Sequence, residues 1–339
     1  MRVEIIGTES LGVRGLSCVV ELKDRKILID PGVSLGYSRH GLLPHPVQVA
    51  MGEDVRQRIL DELEDVTDIV FSHFHGDHVP LYDANPFQMH AMEFRAVLRR
   101  RNRRTPTFWT KTPSGKNMMQ RMQLLRHALG VRFKQAEGRD DGVIAFSPPV
   151  PHGARDEHRG TVMMTRIREG DEIFVHASDI QLLDSSAVSL ILKWRPTIVI
   201  ASGPPLYLNP VTCHLRHARR NTIKLAFLTE KLILDHHLMR SENGCRWMED
   251  LSAETGRNII CAADFMNRER FLLEAWRDRL YTAFPVQSGW HEAYAKGLLS
   301  AHKYRKMLPY VIKRIERLRS ETRSQAEAGS MRNMRDWEK

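Results

Sequence analysis

The sequence predicts an α/β protein built from layers of sheet and helix. Apolar runs of strand length come first, over residues 3–7, 17–22 and 26–30. A helical pattern follows over residues 53–64, and a four-residue strand then covers residues 68–71. A strand, a helix and another strand in succession are typical of a layered α/β domain.

Further strands are predicted along the chain, with helices between them. The helical patterns cover residues 116–128, 185–193 and 215–228. The strand patterns cover residues 143–147, 161–168, 172–177, 197–201, 231–234 and 258–262. Because no internal repeat or long linker divides this region, we expect one elaborated domain over residues 1–265.

Residues 266–339 have a helical pattern and are expected to form an extension packed on this domain. Near the end of the chain, apolar side chains recur at helical spacing, at Tyr304, Leu308, Val311, Ile312, Ile315 and Leu318. A helix with one apolar stripe buries that stripe and exposes its charged face to solvent.

Positive charge is concentrated in one part of the chain. The net charge is +10, and residues 95–139 hold 13 Lys or Arg against a single acidic residue. Residues 80–135 interrupt the alternation of strands and helices, so we interpret them as a basic insertion or lid over the histidine-rich turn that precedes them. With Phe108 and Trp109 among its arginines, this segment offers the charge and aromatic faces that bind a nucleic acid, although a solvated basic lid would have the same composition.

The stretch DIVFSHFHGDHVP, residues 68–80, places four metal-binding side chains in six positions after a strand. His73 and His75 can point the same way, because side chains alternate along an extended chain. Asp77 and His78 lie on the turn and can face a second point nearby. This spacing suits two cations held side by side, and it is far more specific than a lone pair of histidines.

Further ligands are expected at later strand ends, since a catalytic zinc ion takes about three protein ligands. Candidates follow three of the predicted strands, and these are His152, Asp179 and either His236 or His237. Three strand ends that each supply one ligand type make a stronger case than any one of them.

The ordered set of Asp30, HFHGDH at residues 73–78, His152, Asp179 and His236 resembles the metallo-β-lactamase superfamily. It is closest to the hydrolases of the glyoxalase II, ribonuclease Z and lactonase kind, and the segments ILDHHLMRS and ASGPPLYL are similar to an uncharacterised branch. The resemblance covers roughly residues 1–265. It implies an αββα sandwich of two mixed sheets, with the metals at one edge.

The resemblance also implies a role for each of these side chains. The ligands of a first metal ion would be His73, His75 and His152. The ligands of a second would be Asp77, His78 and His236, with His237 as the alternative to His236. Asp179 would bridge both ions, and Asp30 would support the site through hydrogen bonds without binding metal.

Such a site predicts a metal-dependent hydrolase whose attacking hydroxide bridges two divalent ions, zinc first, with manganese or iron as alternatives. Asp77 and Asp179 would orient this nucleophile and are therefore the predicted catalytic residues. We expect the substrate to be a phosphodiester or another phosphate-bearing or anionic ester. The alternatives are a lactonase or thioesterase acting on a small anionic metabolite, a single-iron sulfur dioxygenase, and a binding module without metal.

Candidate substrate contacts are Arg39 and His40, on the loop after Asp30, and Arg155, shortly after His152. No apolar run approaches the roughly 18 residues that a membrane span needs, so no membrane contact is expected. The chain starts directly with a strand pattern, and its four cysteines are scattered, which indicates reduced thiols and a cytoplasmic protein. The sequence leaves a homo-oligomer open.

Overall fold

The computed structural model describes residues 1–154, 160–208 and 212–318, and within these the side chains of residues 212 and 213 are not described. Six strands form the first sheet in chain order: β1 (Arg2–Gly7), β2 (Ser17–Glu21), β3 (Lys26–Ile29), β4 (Asp68–Phe71), β5 (Thr107–Thr110) and β6 (Phe133–Gln135). The first three strands pair antiparallel, and the strands from β3 to β6 pair parallel.

A second sheet of six strands has a related plan. Its strands in chain order are β7 (Ile144–Phe146), β10 (Thr165–Glu169), β11 (Glu172–His176), β12 (Ile198–Ala201), β13 (Lys231–Leu234) and β14 (Ile259–Ile260). Here too an antiparallel part, β7 to β11, continues into a parallel part, β11 to β14. A separate hairpin joins β8 (Val150–Pro151) to β9 (Thr161–Val162).

Helices cover the two sheets to give the αββα sandwich of the predicted fold class. The first sheet is covered by α1 (Pro46–Glu62), α2 (Ala91–Arg100) and α3 (Lys116–Leu129). The helices of the second sheet are α4 (Ser185–Lys193), α5 (Thr212–Leu228), α6 (Glu242–Thr255) and α7 (Ala262–Phe265). Among the described residues, none of the helices combines the length and the apolar character required to cross a bilayer.

Alternation of side chains along β4 builds two cores at once. Val70 lies in the core between the sheets, whereas Ile69 and Phe71 belong to the core between the first sheet and its helices. All three side chains are fully buried. Because successive side chains of a strand point to opposite faces, a strand covered on both faces reads as a continuous apolar run.

Helix α1 begins seven residues before the predicted start, at Pro46 instead of Glu53. His45 caps the helix: its Nδ1 accepts a hydrogen bond from the backbone N–H of Val47, and the Gln48 side chain accepts one from the backbone N–H of His45. Proline is well suited to the first helical position, because its missing N–H would have no partner there. The apolar stripe alone did not reveal this early start.

Residues 80–135 differ from the predicted insertion. They supply β5 and β6, which extend the first sheet, and α2 and α3, which cover it. Phe108 is buried in the core under these helices. The next residue, Trp109, points to the other face of the sheet and packs against Phe146. The segment therefore continues the strand and helix pattern of the domain, although its strands are short and its loops are basic.

The C-terminal region of the described chain packs on the domain. It contains α8 (Arg277–Ala283), α9 (Trp290–Ala295) and a helix over residues 308–318. Arg277 is fully buried and donates hydrogen bonds to the carbonyl oxygens of Gly36 and Leu42. Trp290 is buried in the core of the first sheet. These contacts make the region part of the folded unit.

Candidate metal centre

Four strand ends bring the predicted ligands together at one edge of the sandwich. The ligands follow β4, β8, β11 and β13, so both sheets and the small hairpin contribute. Their metal-binding atoms form overlapping groups in which all atoms lie within 4.8 Å of one another. The residues of these groups are Asp30, His73, His75, Asp77, His78, His152, Asp179, His236 and His237.

The first group consists of His73, His75, His152 and Asp179. The Nε2 atom of His73 lies 2.9 Å from Nδ1 of His75 and 3.6 Å from Oδ2 of Asp179. The Nε2 atom of His152 lies 3.0 Å from the same carboxylate oxygen. Three ring nitrogens and one carboxylate oxygen thus converge, and such nitrogen and oxygen donors suit a divalent cation such as zinc.

The second group consists of Asp77, His78 and His236, and it meets the other oxygen of Asp179. The Oδ1 atom of Asp179 lies 3.0 Å from Nε2 of His78 and 3.4 Å from Nε2 of His236. The latter nitrogen lies 3.7 Å from Oδ2 of Asp77. The two oxygens of one carboxylate therefore face two different groups of ligand atoms.

Several of these atoms have no hydrogen-bond partner within the described part of the chain. They include Nε2 of His78, Oδ1 of Asp179 and Nε2 of His237, and all three atoms are buried. Buried polar atoms are normally paired, so a cluster of such atoms that face one another fits a bound cation. The donor chemistry fits divalent cations bound by nitrogen and oxygen.

A buried hydrogen-bond network orients the first histidines. Ser72 donates its backbone N–H to Oδ1 of Asp30 (2.8 Å) and its hydroxyl to Oδ2 (2.5 Å). The Nδ1 atom of His78 lies 2.9 Å from Oδ2 of Asp30, and Nδ1 of His73 lies 3.0 Å from the Ser72 hydroxyl. With Nδ1 engaged in this way, Nε2 of each ring is left to bind a cation. The structure thus gives Asp30 the contacts of a supporting residue.

Both members of the histidine doublet reach Asp179. His237 Nε2 lies 3.4 Å from Oδ2 of Asp179, while His236 Nε2 faces Oδ1. Their outer nitrogens differ, because Nδ1 of His236 lies 2.7 Å from a Glu9 carboxylate oxygen and Nδ1 of His237 lies 3.2 Å from the hydroxyl of Tyr207. His236 therefore faces the second group and His237 the side of the first.

Two buried residues of the site were missed by the sequence analysis. Glu9 is buried and also accepts a hydrogen bond from Nε of Arg240 at 2.6 Å. Arg240 extends along the second group, with one guanidinium nitrogen 3.0 Å from Nε2 of His236 and 3.4 Å from Oδ2 of Asp77. Glu9 lies in the first loop, more than 220 residues from its partners. No motif marks Glu9. The spacing of four residues from His236 to Arg240 is a local signal that could have drawn attention to Arg240.

The backbone is held in an unusual conformation at three strand ends of the site. Asp30, Ser178 and His236 have φ angles of 48°, 54° and 44°. Residues other than glycine rarely adopt this left-handed backbone conformation, and they do so where the surrounding structure fixes them. Here the conformation turns the chain sharply beside the ligands.

Burial keeps several ligand rings neutral. It lowers the pKa of His73 and of His237, and it lowers the pKa of His75 to about 4. A neutral imidazole has a free lone pair, which is the form that binds a metal ion.

The carboxylates are ionised despite their burial. Burial alone would raise the pKa of Asp77 and Asp179, but the neighbouring rings of His78 and His236 hold both values well below their usual range. Burial alone would lower the pKa of His236, but Glu9 and Asp179 outweigh this effect and raise the pKa to about 9. The second group thus places positive charge beside Asp179, and a bound cation would take the place of these protons.

The predicted substrate contacts have different outcomes. Arg39 donates a hydrogen bond to the backbone oxygen of Arg240 (2.6 Å), and its guanidinium lies 5.5 Å from the ring centre of Tyr207, so it is linked to the site. His40 is exposed on the same loop. Arg155 lies outside the described residues.

The arginine-rich turn between α2 and β5 lies at the opposite end of the first sheet from the metal centre. Asp68, the first residue of β4, pairs with Thr107, the first residue of β5. The turn enters β5 at this end, and its Arg101 donates a hydrogen bond to the carbonyl oxygen of Val66, ahead of β4. These arginines therefore do not cover the site, because the ligands follow the other end of β4.

The two aromatic residues predicted to stack on a substrate are also engaged elsewhere. Phe108 is fully buried, with its ring centre 6.1 Å from that of Phe71. The indole N–H of Trp109 donates a hydrogen bond to Asp68 at 2.8 Å. Both rings therefore stabilise the sheet and do not form a surface for stacking.

A family model and a solved structure are similar to parts of this chain. A family model described as the metallo-beta-lactamase superfamily matches residues 12–79. Among solved structures, the metallo-beta-lactamase fold protein YhfI from Bacillus subtilis matches with a TM-score of 0.48 and 12% identity, covering 79% of this chain and 97% of that chain.

Relatives with much higher sequence identity share nearly their whole length with this chain. A UPF0282 protein of Methanosarcina mazei is 47% identical over 308 residues, which cover 90% of this chain and 99% of the relative. A UPF0282 protein of Methanopyrus kandleri is 33% identical over 290 residues, which cover 83% of this chain and 99% of the relative. The chain therefore has a metallo-β-lactamase fold and belongs to the UPF0282 family.

Proposed function

We propose that this protein is a metal-dependent hydrolase of an anionic ester, with two divalent ions in its active site. The observation that carries the proposal is the position of Asp179, whose two oxygens face separate groups of histidine nitrogens. A carboxylate placed in this way can bridge two neighbouring cations. Nitrogen and carboxylate donors suit zinc first, with manganese or iron as alternatives.

Divalent ions bound here would lower the pKa of a coordinated water, so that it can attack an ester at neutral pH. The side chains of the protein would orient that water. Asp77 is 19% exposed at its side chain, whereas Asp179 is 2% exposed, so Asp77 is the carboxylate that faces incoming water. Both groups are ionised and would accept hydrogen bonds from the attacking water, which would fix its direction.

The surroundings of the site support a small anionic substrate. Arg240 lies beside Asp77, and Arg39 is tied to Arg240 through its carbonyl oxygen. Arg240 lies beside the ligands, whereas the arginine-rich turn lies at the far end of the sheet. A phosphate or carboxylate near the reacting ester would interact favourably with these guanidinium groups. A compact phosphate ester or a lactone with an acidic group fits this distribution better than a long polyanion does.

The experiment that tests the proposal combines metal analysis with substrate profiling. The purified protein is expected to bind two ions per chain and to hydrolyse one class among bis-p-nitrophenyl phosphate, cyclic nucleotides, single-stranded RNA, lactones and thioesters. Asp179→Ala removes an oxygen donor from each group, so we expect loss of both ions and of hydrolysis. His127→Ala is the control, since His127 is exposed on α3. One iron per chain with no hydrolysis would favour a sulfur dioxygenase, and a chain without metal would refute the proposal.

Separate substitution of the doublet tests how the two ions are divided. His236→Ala removes a donor of the second group, so we expect about one ion per chain to remain. His237→Ala is expected to keep two ions, with weaker binding of the first. If His237→Ala loses an ion and His236→Ala loses none, the roles of the two residues are reversed.

A further inference from the structure

A buried lysine lies beside the first group of ligands. Lys111 directly follows β5, and β5 runs parallel to β4, whose end leads into the histidine motif. Its backbone N–H donates a hydrogen bond to the carbonyl oxygen of Phe71, two residues before His73. The side chain of Lys111 is only 3% exposed. The parallel register therefore places a buried cation at the metal edge of the sheet.

The ammonium group of Lys111 is held by neutral oxygens. It donates hydrogen bonds to the carbonyl oxygen of Thr112 (2.6 Å) and to the hydroxyl of Ser114 (2.9 Å). Ser114 in turn lies 2.9 Å from the hydroxyl of Thr161. Within the described ranges, Lys111 forms no ion pair with a carboxylate. A buried charge without a counter-ion is costly, so pairing of the Lys111 ammonium with a bound anion would be favourable.

Glu137 is an acidic residue that affects the pKa of Lys111, but its carboxylate is hydrogen-bonded to Thr112. Glu137 accepts hydrogen bonds from the backbone N–H and the hydroxyl of Thr112, at 2.8 and 3.0 Å. Burial lowers the pKa of Lys111, and Glu137 opposes this effect. A bound anion in contact with the ammonium would favour its charged form in the same way and more directly.

A small cavity connects this lysine with the metal ligands. The cavity measures about 30 Å³, and its lining includes His73, His75, His152, Lys111, Ser114 and Thr161. It is large enough for a water or a carboxylate-sized group. Helix α3 begins next to the lining residue Ser114, with Gly115 as its N-cap, and it has no side-chain cap and no acidic residue in its first turn. The positive end of the helix dipole adds to the attraction for an anion.

We propose that Lys111, with Ser114 and Thr161, binds a terminal anionic group of the substrate, a carboxylate or a phosphate, next to the first group of ligands. The inference builds on the proposed hydrolase and names the part of the substrate that fixes its orientation. Lys111 acts here as a specificity-determining residue. The small cavity favours a terminal group over an internal phosphate of a long strand, because the chain on both sides of an internal phosphate would need room.

Anion binding without turnover tests this inference. The zinc-loaded full-length protein is titrated in a calorimeter with inorganic phosphate and, separately, with acetate, and the bound metal is measured in each sample. Lys111→Met is expected to weaken binding of the preferred anion about tenfold or more, because a charge-assisted hydrogen bond is lost. Lys111→Arg should retain part of the affinity. Ser114→Ala, which keeps the charge, should weaken binding about threefold.

Lys134→Met is the matched control, because Lys134 is exposed on β6, over the ring of Trp109. Unchanged anion affinity in Lys111→Met with normal metal content would overturn the inference, and so would a wild-type protein that binds neither anion. The anion that binds more tightly identifies the terminal group. If the wild type holds no metal but binds anions through Lys111, the proposed hydrolase fails and this inference stands. Should Lys111→Met not fold, Lys111→Arg and Ser114→Ala decide the question.

Discussion

Asp179 is a residue that contacts both groups of ligands. Its carboxylate lies within 3.0 Å of one histidine nitrogen from each group. The motif ligands could be predicted because they are close in sequence and follow strands whose direction the apolar pattern reveals. Glu9 and Arg240 could not, because a buried ion pair that spans 231 positions leaves no local pattern.

Glu9 is expected to control the second metal ion through His236. In Glu9→Gln the carboxylate beside Nδ1 of His236 is replaced by a neutral amide, so the ring becomes a weaker donor. Loss of such a partner typically lowers metal affinity by about 10- to 100-fold. Metal titration should therefore show one ion bound as in the wild type and a second bound much more weakly.

The control for this prediction is Glu21→Gln, because Glu21 pairs with Arg2 at the sheet surface. Two ions bound with wild-type affinity in Glu9→Gln would contradict the assigned role of Glu9.

At the scale of elements, most strands agree with their apolar pattern, and the differences have identifiable causes. Helix α1 starts early because a proline and a histidine cap define its first turn, and these residues lie outside the apolar stripe. Residues 80–135 were interpreted as a lid because their charge conceals two short strands. A four-residue strand such as β5 gains its stability from pairing with β4, and pairing partners are not visible in a single sequence.

The cap of α1 gives the protein a specific dependence on acid. Burial lowers the pKa of His45 from 6.5 to about 4, and Nε2 of its ring lies 2.8 Å from the carbonyl oxygen of Phe284. As the pH falls through this range, the unfolded chain binds a proton that the folded chain does not. The free energy of unfolding therefore decreases below pH 6.5, by on the order of 2–3 kcal/mol near pH 4.

His45→Asn keeps an oxygen that can cap the helix and removes the titration. Urea unfolding at pH 7.5 and at pH 4.5 should show a smaller loss of stability in this variant than in the wild type. His90→Asn, at the half-buried cap of α2, controls for the replacement of a capping histidine. Equal losses in wild type and His45→Asn would show that His45 does not titrate in this range.

At the scale of the whole molecule, the C-terminal extension completes both cores. Trp290 packs with Tyr294 and Tyr304, at ring-centre distances of 5.1 and 5.8 Å, in the core of the first sheet. Val311 and Ile315 are buried in the core that includes the space between the sheets. The helical stripe was predictable, whereas its attachment to both cores depends on contacts between distant parts of the chain.

Trp290→Ala should therefore destabilise the entire domain. We expect the free energy of unfolding to decrease by about 3–5 kcal/mol, since a large buried aromatic side chain is lost. Tyr310→Ala is the control, because Tyr310 is 67% exposed and its loss should change stability by about 0.5 kcal/mol or less. Chemical denaturation measures both. A loss confined to local unfolding of the last helices would show that the extension is not part of the cooperative unit.

The distribution of charge over the molecule leads to a further prediction. Replacing Arg99, Arg100, Arg103 and Arg104 together with glutamine should leave metal content and the turnover of a small ester within about twofold of the wild type. These side chains are exposed at the far end of the first sheet from the ligands, and charge effects across water are screened beyond about 10 Å. A large loss of turnover on a small ester would place these arginines near the reaction.

The hydrogen bonds of Asp235 determine which part of the metal centre can form last during protein synthesis. Its carboxylate accepts hydrogen bonds from Thr8 and Ser10 at the start of the chain and from the backbone N–H of Ala262 near the end of the domain. A ribosome releases the N-terminal residues long before residue 262 emerges. In a nascent chain, the histidines of residues 73–78 can therefore come together first. The hydrogen bonds of Asp235, which neighbours His236, are completed only after nearly the whole domain has been synthesised.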